Sequence, residues 1–190
     1  MNLPNKLTVG RFVLTAVFLV AIFARVRYAD TIALGLFIAA SITDFLDGKI
    51  ARERKIITNF GILMDPLADK ILVCSAFIAF VERGFMPAWM VVIIVARELG
   101  ITGLRLLAAA KNEILAAEGY GKHKTISQIT AIIAILVQAS TPEWPRFLGQ
   151  LFEPWVAGFA TVALWGALLL TVFSGSAYLW KNRRIFINDL

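Results

Sequence analysis

The sequence has little charge, one cysteine and one histidine. Charged residues fill only 17% of its 190 positions, while 59% are hydrophobic; soluble domains typically carry about 25% charged residues. With a mean hydropathy of +0.76, the chain reads as an integral membrane protein whose length suits one domain over 1–190. Cys74 alone cannot form an intramolecular disulfide and gives no basis for a cysteine metal site. Lying in an apolar run, it reads as a small buried or lipid-facing residue. His123 reads as an interfacial side chain without a catalytic task. There is no low-complexity segment and no internal repeat. No small-residue cleavage pattern closes the apolar run 12–24, because Arg25 and Arg27 follow it, so this segment is expected to stay as a helix. The net charge of +6 does not call for nucleic acid; cytoplasmic loops and anionic lipid headgroups account for it.

What is present is a series of uncharged runs at 12–24, 31–43, 56–64, 71–81, 84–96, 125–142 and 154–180. A spanning helix needs about 20 residues. Only the last run clears that length easily and 125–142 comes close; the others must draw in flanking charges. Joining 56–64 to 71–81 takes in Asp65, Asp69 and Lys70, extending 31–43 takes in Asp44 and Asp47, and extending 84–96 takes in Arg97 and Arg105. The expected architecture is all-α and polytopic, with six transmembrane helices at about 8–27, 31–53, 59–82, 87–110, 122–141 and 153–181. A short amphipathic segment precedes the first, with Asn2 and Pro4 as a helix start. Of the nineteen Lys and Arg residues, twelve fall on the side of the termini, four on the other side and three within spans. That bias places both termini in the cytoplasm. The same topology puts Asp44, Asp47, Asp65 and Asp69 at the cytoplasmic ends of the second and third helices.

Asp44 and Asp47 are three apart, and Asp65 and Asp69 are four apart. Each spacing puts its pair on one helix face. The short link between the two helices makes them antiparallel neighbours whose carboxylate faces can meet. Four clustered carboxylates repel unless cations neutralise them, and hard oxygen ligands in that number suit two Mg²⁺ or Mn²⁺ ions. Charge held near lipid marks a functional site; the plain alternative is snorkelling aspartates paired with Lys49, Arg52, Arg54 and Lys70. Gly48, Ala51 and Gly61 leave room for close approach of a backbone, a nucleotide base or a diphosphate. Pro66 sits inside the cluster as a kink or as a local helix start capped by Asp65.

The run DFLDGKIAR, eight residues, then GILMDPLAD matches DxxDGxxAR…GxxxDxxxD over residues 44–69 with full spacing. The chain thereby resembles the CDP-alcohol phosphotransferase family. The resemblance implies a six-helix membrane fold, a divalent metal pair and transfer of a phosphatidyl group from a CDP-linked donor to an alcohol. LPNKLTVGR at 3–11, MDPLADK, IVARELGITGLR at 94–105 and GKHKT at 121–125 resemble the bacterial branch with CDP-diacylglycerol as donor and glycerol 3-phosphate as acceptor. In that reading Asp44, Asp47 and Asp65 hold metal. Asp69 approaches it too and serves as general base. Gly48, Ala51 and Arg52 line the cytidine side. Asn5, Thr8 and Arg11 are weaker nucleotide or phosphate contacts, with a helix cap and an interfacial anchor as the plain readings of Thr8 and Arg11.

A doubly charged phosphate acceptor needs cations. Arg97 and Arg105 are eight apart, about 80° around a helix, so both can face one cavity. Lys124 can reach in from the start of the fifth helix, with Arg as the bidentate and Lys as the point contact. The plain alternatives are a pairing of Arg97 with Glu98 or an aspartate, a snorkelling Arg105 and a solvated Lys124.

Serine, inositol phosphate or phosphatidylglycerol as acceptor would keep the family and change the branch. A divalent cation transporter would need carboxylates near mid-membrane, and the later helices read as having none. A scaffold without chemistry leaves the signature unexplained. The apolar 154–180 stretch, with Gly158, Gly166 and Gly175, either packs against a second copy in a homodimer or faces lipid.

Overall fold

The computed structural model describes residues 3–24, 26–54, 59–110 and 120–183; within these, the side chains of residues 3–7, 44–54, 59–63, 65, 66, 69, 110 and 120–122 lie outside the description. The described residues form six long helices: α1 (Leu3–Phe23), α2 (Ala29–Arg54), α3 (Asn59–Glu82), α4 (Ala88–Ala110), α5 (Tyr120–Ser140) and α6 (Arg146–Lys181). A short 3₁₀ turn, Thr141–Glu143, joins α5 to α6. The third helix has the expected bounds. The largest differences are at the starts of α1 and α6. The N-terminal segment is no separate element, because α1 runs unbroken from Leu3; Pro4 falls in its first turn, where a missing N–H costs nothing. The expected loop 142–152 is largely the 3₁₀ turn and the first turns of α6, with Pro154 held inside that helix.

The turn after α3 shows how local sequence ends a helix. Gly84 takes φ +74°, a left-handed conformation open to glycine. Its N–H donates to Val81 O at 3.0 Å, and Phe85 N–H donates to Phe80 O at 2.9 Å, the paired bonds of a Schellman cap. The Phe80 and Phe85 rings meet edge to face, 6.2 Å apart, supplying the apolar contact that accompanies such a cap.

This cap delivers Arg83 to the start of α2, where its guanidinium pairs with both carboxylate oxygens of Asp30. From the 3₁₀ turn, Glu143 Oε1 accepts the Asp30 N–H at 3.0 Å, while Oε2 accepts the Thr31 N–H at 2.8 Å and the Thr31 hydroxyl at 2.6 Å. Trp144 Nε1–H donates to the same hydroxyl at 3.1 Å. Glu143 thus caps the first-turn N–H groups of α2 from 113 residues away, and its charge suits a helix N-terminus. Three chain reversals are clasped at one end of the bundle.

The core lies toward that end. Phe18, Phe37, Phe77, Phe80, Ile94, Ile132 and Leu136 are wholly buried, and the Phe18 and Phe37 rings pack 5.8 Å apart. α1 packs on both α2 and α3, α2 on α5, and α6 on α4 and α5. Among the described residues α1 is therefore a shared neighbour of the two aspartate-bearing helices. Large apolar side chains face outward on every helix, among them Val20, Ile42, Ile78, Val92, Ile126 and Leu169. In water that surface would far exceed the usual apolar patch; in a bilayer it is the lipid-facing coat. Two segments, His123–Glu143 and Arg146–Lys181, are long and apolar enough to cross a membrane by length and composition.

Burial works against the Glu143 charge, but the hydrogen bonds from Thr31 and Asp30 and the positive charge of Arg83 outweigh it and hold its pKa below the ordinary value of 4.5. A depressed carboxylate adds stability above its unfolded pKa and loses it as pH falls through the folded value. Glu143→Gln should therefore lower thermal stability in detergent at neutral pH, by about 1 kcal/mol as for a lost cap. The gap from wild type should close on acidification below about pH 4.5. A gap unchanged down to the acid limit would mean that the charge contributes nothing.

Candidate active site

The clasp sets the register of the bundle. Asp30 and the residue following α3, Arg83, are paired at one end, while only residues 55–58 separate α2 from α3 at the other. The two helices must run antiparallel. Counting along the backbone from the clasp, Asp44 lies fourteen residues from Asp30, and Asp69 lies fourteen from Arg83. At 1.5 Å per residue both stand about 21 Å away. Asp47 and Asp65 lie seventeen and eighteen residues away, at about 26–27 Å. The backbone thus sets Asp44 level with Asp69 and Asp47 level with Asp65. Their side chains lie outside the described residues, as do those of Gly48, Ala51, Arg52 and Asn5.

The start of α1 reaches the same level. Thr8 and Arg11 are buried, at 1% and 2% exposure. Thr8 sits well inside α1 and is not its cap, and Arg11 is no interfacial anchor. Lys124 lies about 24 Å along α5 from the clasp end of that helix, also at the aspartate level. His123 beside it is exposed.

Between α4, α5 and α6 lies a buried polar group. The Glu98 carboxylate pairs with the Lys124 ammonium and stands 3.4 Å from Arg97 Nη1. Glu98 is 6% exposed and Lys124 5%, so each is shielded from water. The Coulomb attraction gained there offsets desolvation only while both partners are present. Arg97 Nη2 donates to Ser174 Oγ at 3.1 Å, and its Nε has no hydrogen-bond partner among the described residues. Gln128 Nε2 donates to Thr171 Oγ1 at 3.1 Å. Arg105 stands more exposed on α4; its Nε donates to Tyr178 Oη at 3.3 Å, and its guanidinium lies 5.5 Å from that ring's centre.

The structure thus joins Arg97 to Lys124 through Glu98 and seats Arg105 separately on Tyr178. Glu98 corrects the expectation that the later helices hold no acidic side chain inside the bundle. Gly175 is also reassigned. A Cβ there would lie 2.8 Å from Arg97 Cγ, so this glycine makes way for an arginine inside the bundle and does not face a second copy or lipid. Thr171, Ser174 and Tyr178 escaped the sequence reading. Their signal was a polar and small stripe at helical spacing in an otherwise apolar helix.

The model of the CDP-alcohol phosphatidyltransferase family matches residues 1–173. The chain belongs to this family. It is 40% identical to the CDP-diacylglycerol–glycerol-3-phosphate 3-phosphatidyltransferase of Bacillus subtilis, over 95% of each chain. It is 38% identical to a probable phosphatidylglycerophosphate synthase of Mycobacterium tuberculosis, over 96% of this chain and 82% of the relative. A Rickettsia felis protein with the same name as the Bacillus one is 32% identical over 97% of each. Family membership and the apolar coat agree that this is a membrane protein.

Glu98→Ala should destabilise the fold by about 3 kcal/mol, since it removes one member of a buried ion pair. Adding Lys124→Met should recover much of that loss. Thermal unfolding of the two variants in one detergent would measure both effects. Equal losses in the single and double variants would show that the pair is not the source.

Proposed function

We propose that the protein transfers the phosphatidyl group of CDP-diacylglycerol to glycerol 3-phosphate, giving phosphatidylglycerol phosphate and CMP. The observation that carries the reading is the full family signature on antiparallel α2 and α3, with its two carboxylate pairs at matched levels. The cations of α4 and α5 and the relatives' names favour a phosphorylated acceptor.

Asp44, Asp47, Asp65 and Asp69 form a hard-oxygen donor set that fits Mg²⁺ or Mn²⁺. Two such ions, when bound, would stabilise negative charge on the transferring group. Asp69 takes the proton from the acceptor's terminal hydroxyl. That oxygen bonds to the phosphorus carrying diacylglycerol, the bond from this phosphorus to the bridging oxygen breaks, and CMP leaves. Arg97, Arg105 and Lys124 hold the acceptor's phosphate, with Arg11 in support. Gly48, Ala51, Arg52, Asn5 and Thr8 face the nucleotide. In this reading all six helices cross the membrane. Both termini and the site then face the cytoplasm at the bacterial inner membrane, a reading supported by the twelve of nineteen Lys and Arg residues on that side.

The test is CMP release by the purified protein in detergent, given CDP-diacylglycerol, Mg²⁺ or Mn²⁺, and glycerol 3-phosphate. Parallel reactions hold serine, inositol phosphate, phosphatidylglycerol or glycerol. Release should require glycerol 3-phosphate, stop on chelation and return with either metal. Asp69→Asn should lower the rate by about 10² to 10⁴, the range of general base catalysis. Release with serine instead would keep the family and refute the acceptor.

A further inference from the structure

Four residues on one stripe of α6, Thr171, Ser174, Gly175 and Tyr178, are all buried. Their spacing of three, four and seven keeps them on a single helix face. Three of them meet the two α4 arginines. Ser174 Oγ accepts from Arg97 Nη2, Gly175 leaves the space that Arg97 Cγ fills, and Tyr178 Oη accepts from Arg105 Nε. Thr171 extends the stripe to Gln128 of α5. An arginine carries several rotatable bonds, and a free one would spend its binding energy on ordering. Here the hydroxyl, the missing Cβ and the phenol fix the arms. Each guanidinium also keeps donors that these contacts leave uncommitted: Arg97 Nε has no partner among the described residues.

We infer that this face of α6 is a positioning ledge that aims Arg97 and Arg105 at the acceptor's phosphate and so sets acceptor affinity. The inference rests on the reading that those arginines hold that phosphate. Ser174, Gly175 and Tyr178 act through the arginines and touch no substrate. Their loss should raise the KM for glycerol 3-phosphate while leaving the KM for CDP-diacylglycerol in place.

The experiment is steady-state CMP release by the full-length protein, with each substrate varied in turn. The variants are Ser174→Ala, Gly175→Ala, Tyr178→Phe, Arg97→Gln and Ser174→Ala combined with Arg97→Gln. Ser174→Ala should raise the acceptor KM roughly tenfold, as for a hydrogen bond to a charged group, Gly175→Ala should raise it by displacing the Arg97 side chain, and Tyr178→Phe should raise it several-fold. The donor KM should stay within about twofold. Ser174→Ala should add nothing in the Arg97→Gln background, because coupled residues are not additive.

Should Gly175→Ala fail to fold, Ser174→Ala and Tyr178→Phe carry the test, since both only remove atoms. An acceptor KM raised by Arg97→Gln but unmoved by the α6 variants would overturn the ledge and leave the phosphate site standing. Donor and acceptor KM rising together would make α6 merely structural. An acceptor KM unmoved by Arg97→Gln would sink the phosphate-site reading and the ledge with it.

Discussion

A charge held away from water must be matched, and this constraint organises the bundle. At one end Asp30, Arg83 and Glu143 tie three chain reversals together. Midway along α4, Glu98 stands between Arg97 and Lys124. Apolar packing alone would leave the helices free to slide, because lipid tails are as apolar as leucine. Charge pairs have one correct register. The clasp therefore does more than hold an end closed. By joining Asp30 to Arg83 it brings the backbone of Asp44 level with that of Asp69 some 21 Å away.

The site end divides its labour among helices. α2 and α3 carry the family's aspartates, α1 brings Thr8 and Arg11 into the interior beside them, and α4, α5 and α6 carry the cations and their supports. Glu98 makes the cation group tolerable when no anion is bound. With Arg97, Arg105 and Lys124 it leaves a surplus of two positive charges, which on the proposed reading would meet a phosphate monoester.

Much of this was legible in the residues. The aspartate spacings give helix faces whatever the rest of the fold does. V-E-R-G-F announces the end of α3, since the glycine suits a left-handed turn and the phenylalanines close it. The entry into α6 was not legible. Pro142 and Pro145 argued for a loop, yet Pro142 suits the start of the 3₁₀ turn and Pro145 precedes α6. Pro154 is carried within a 36-residue helix whose later turns pack on α4 and α5. Tertiary packing overrode local preference there.

By itself the sequence determined the class of the molecule, its six helices and the family that its signature names. Those properties depend on composition and on periodicities within single segments. Only the tertiary structure decided that Glu98 serves Lys124, that Glu143 caps a helix 113 residues away, and that Gly175 makes room for Arg97. Each of these joins side chains from different helices. No spacing along one chain encodes a contact that exists only after the helices have packed.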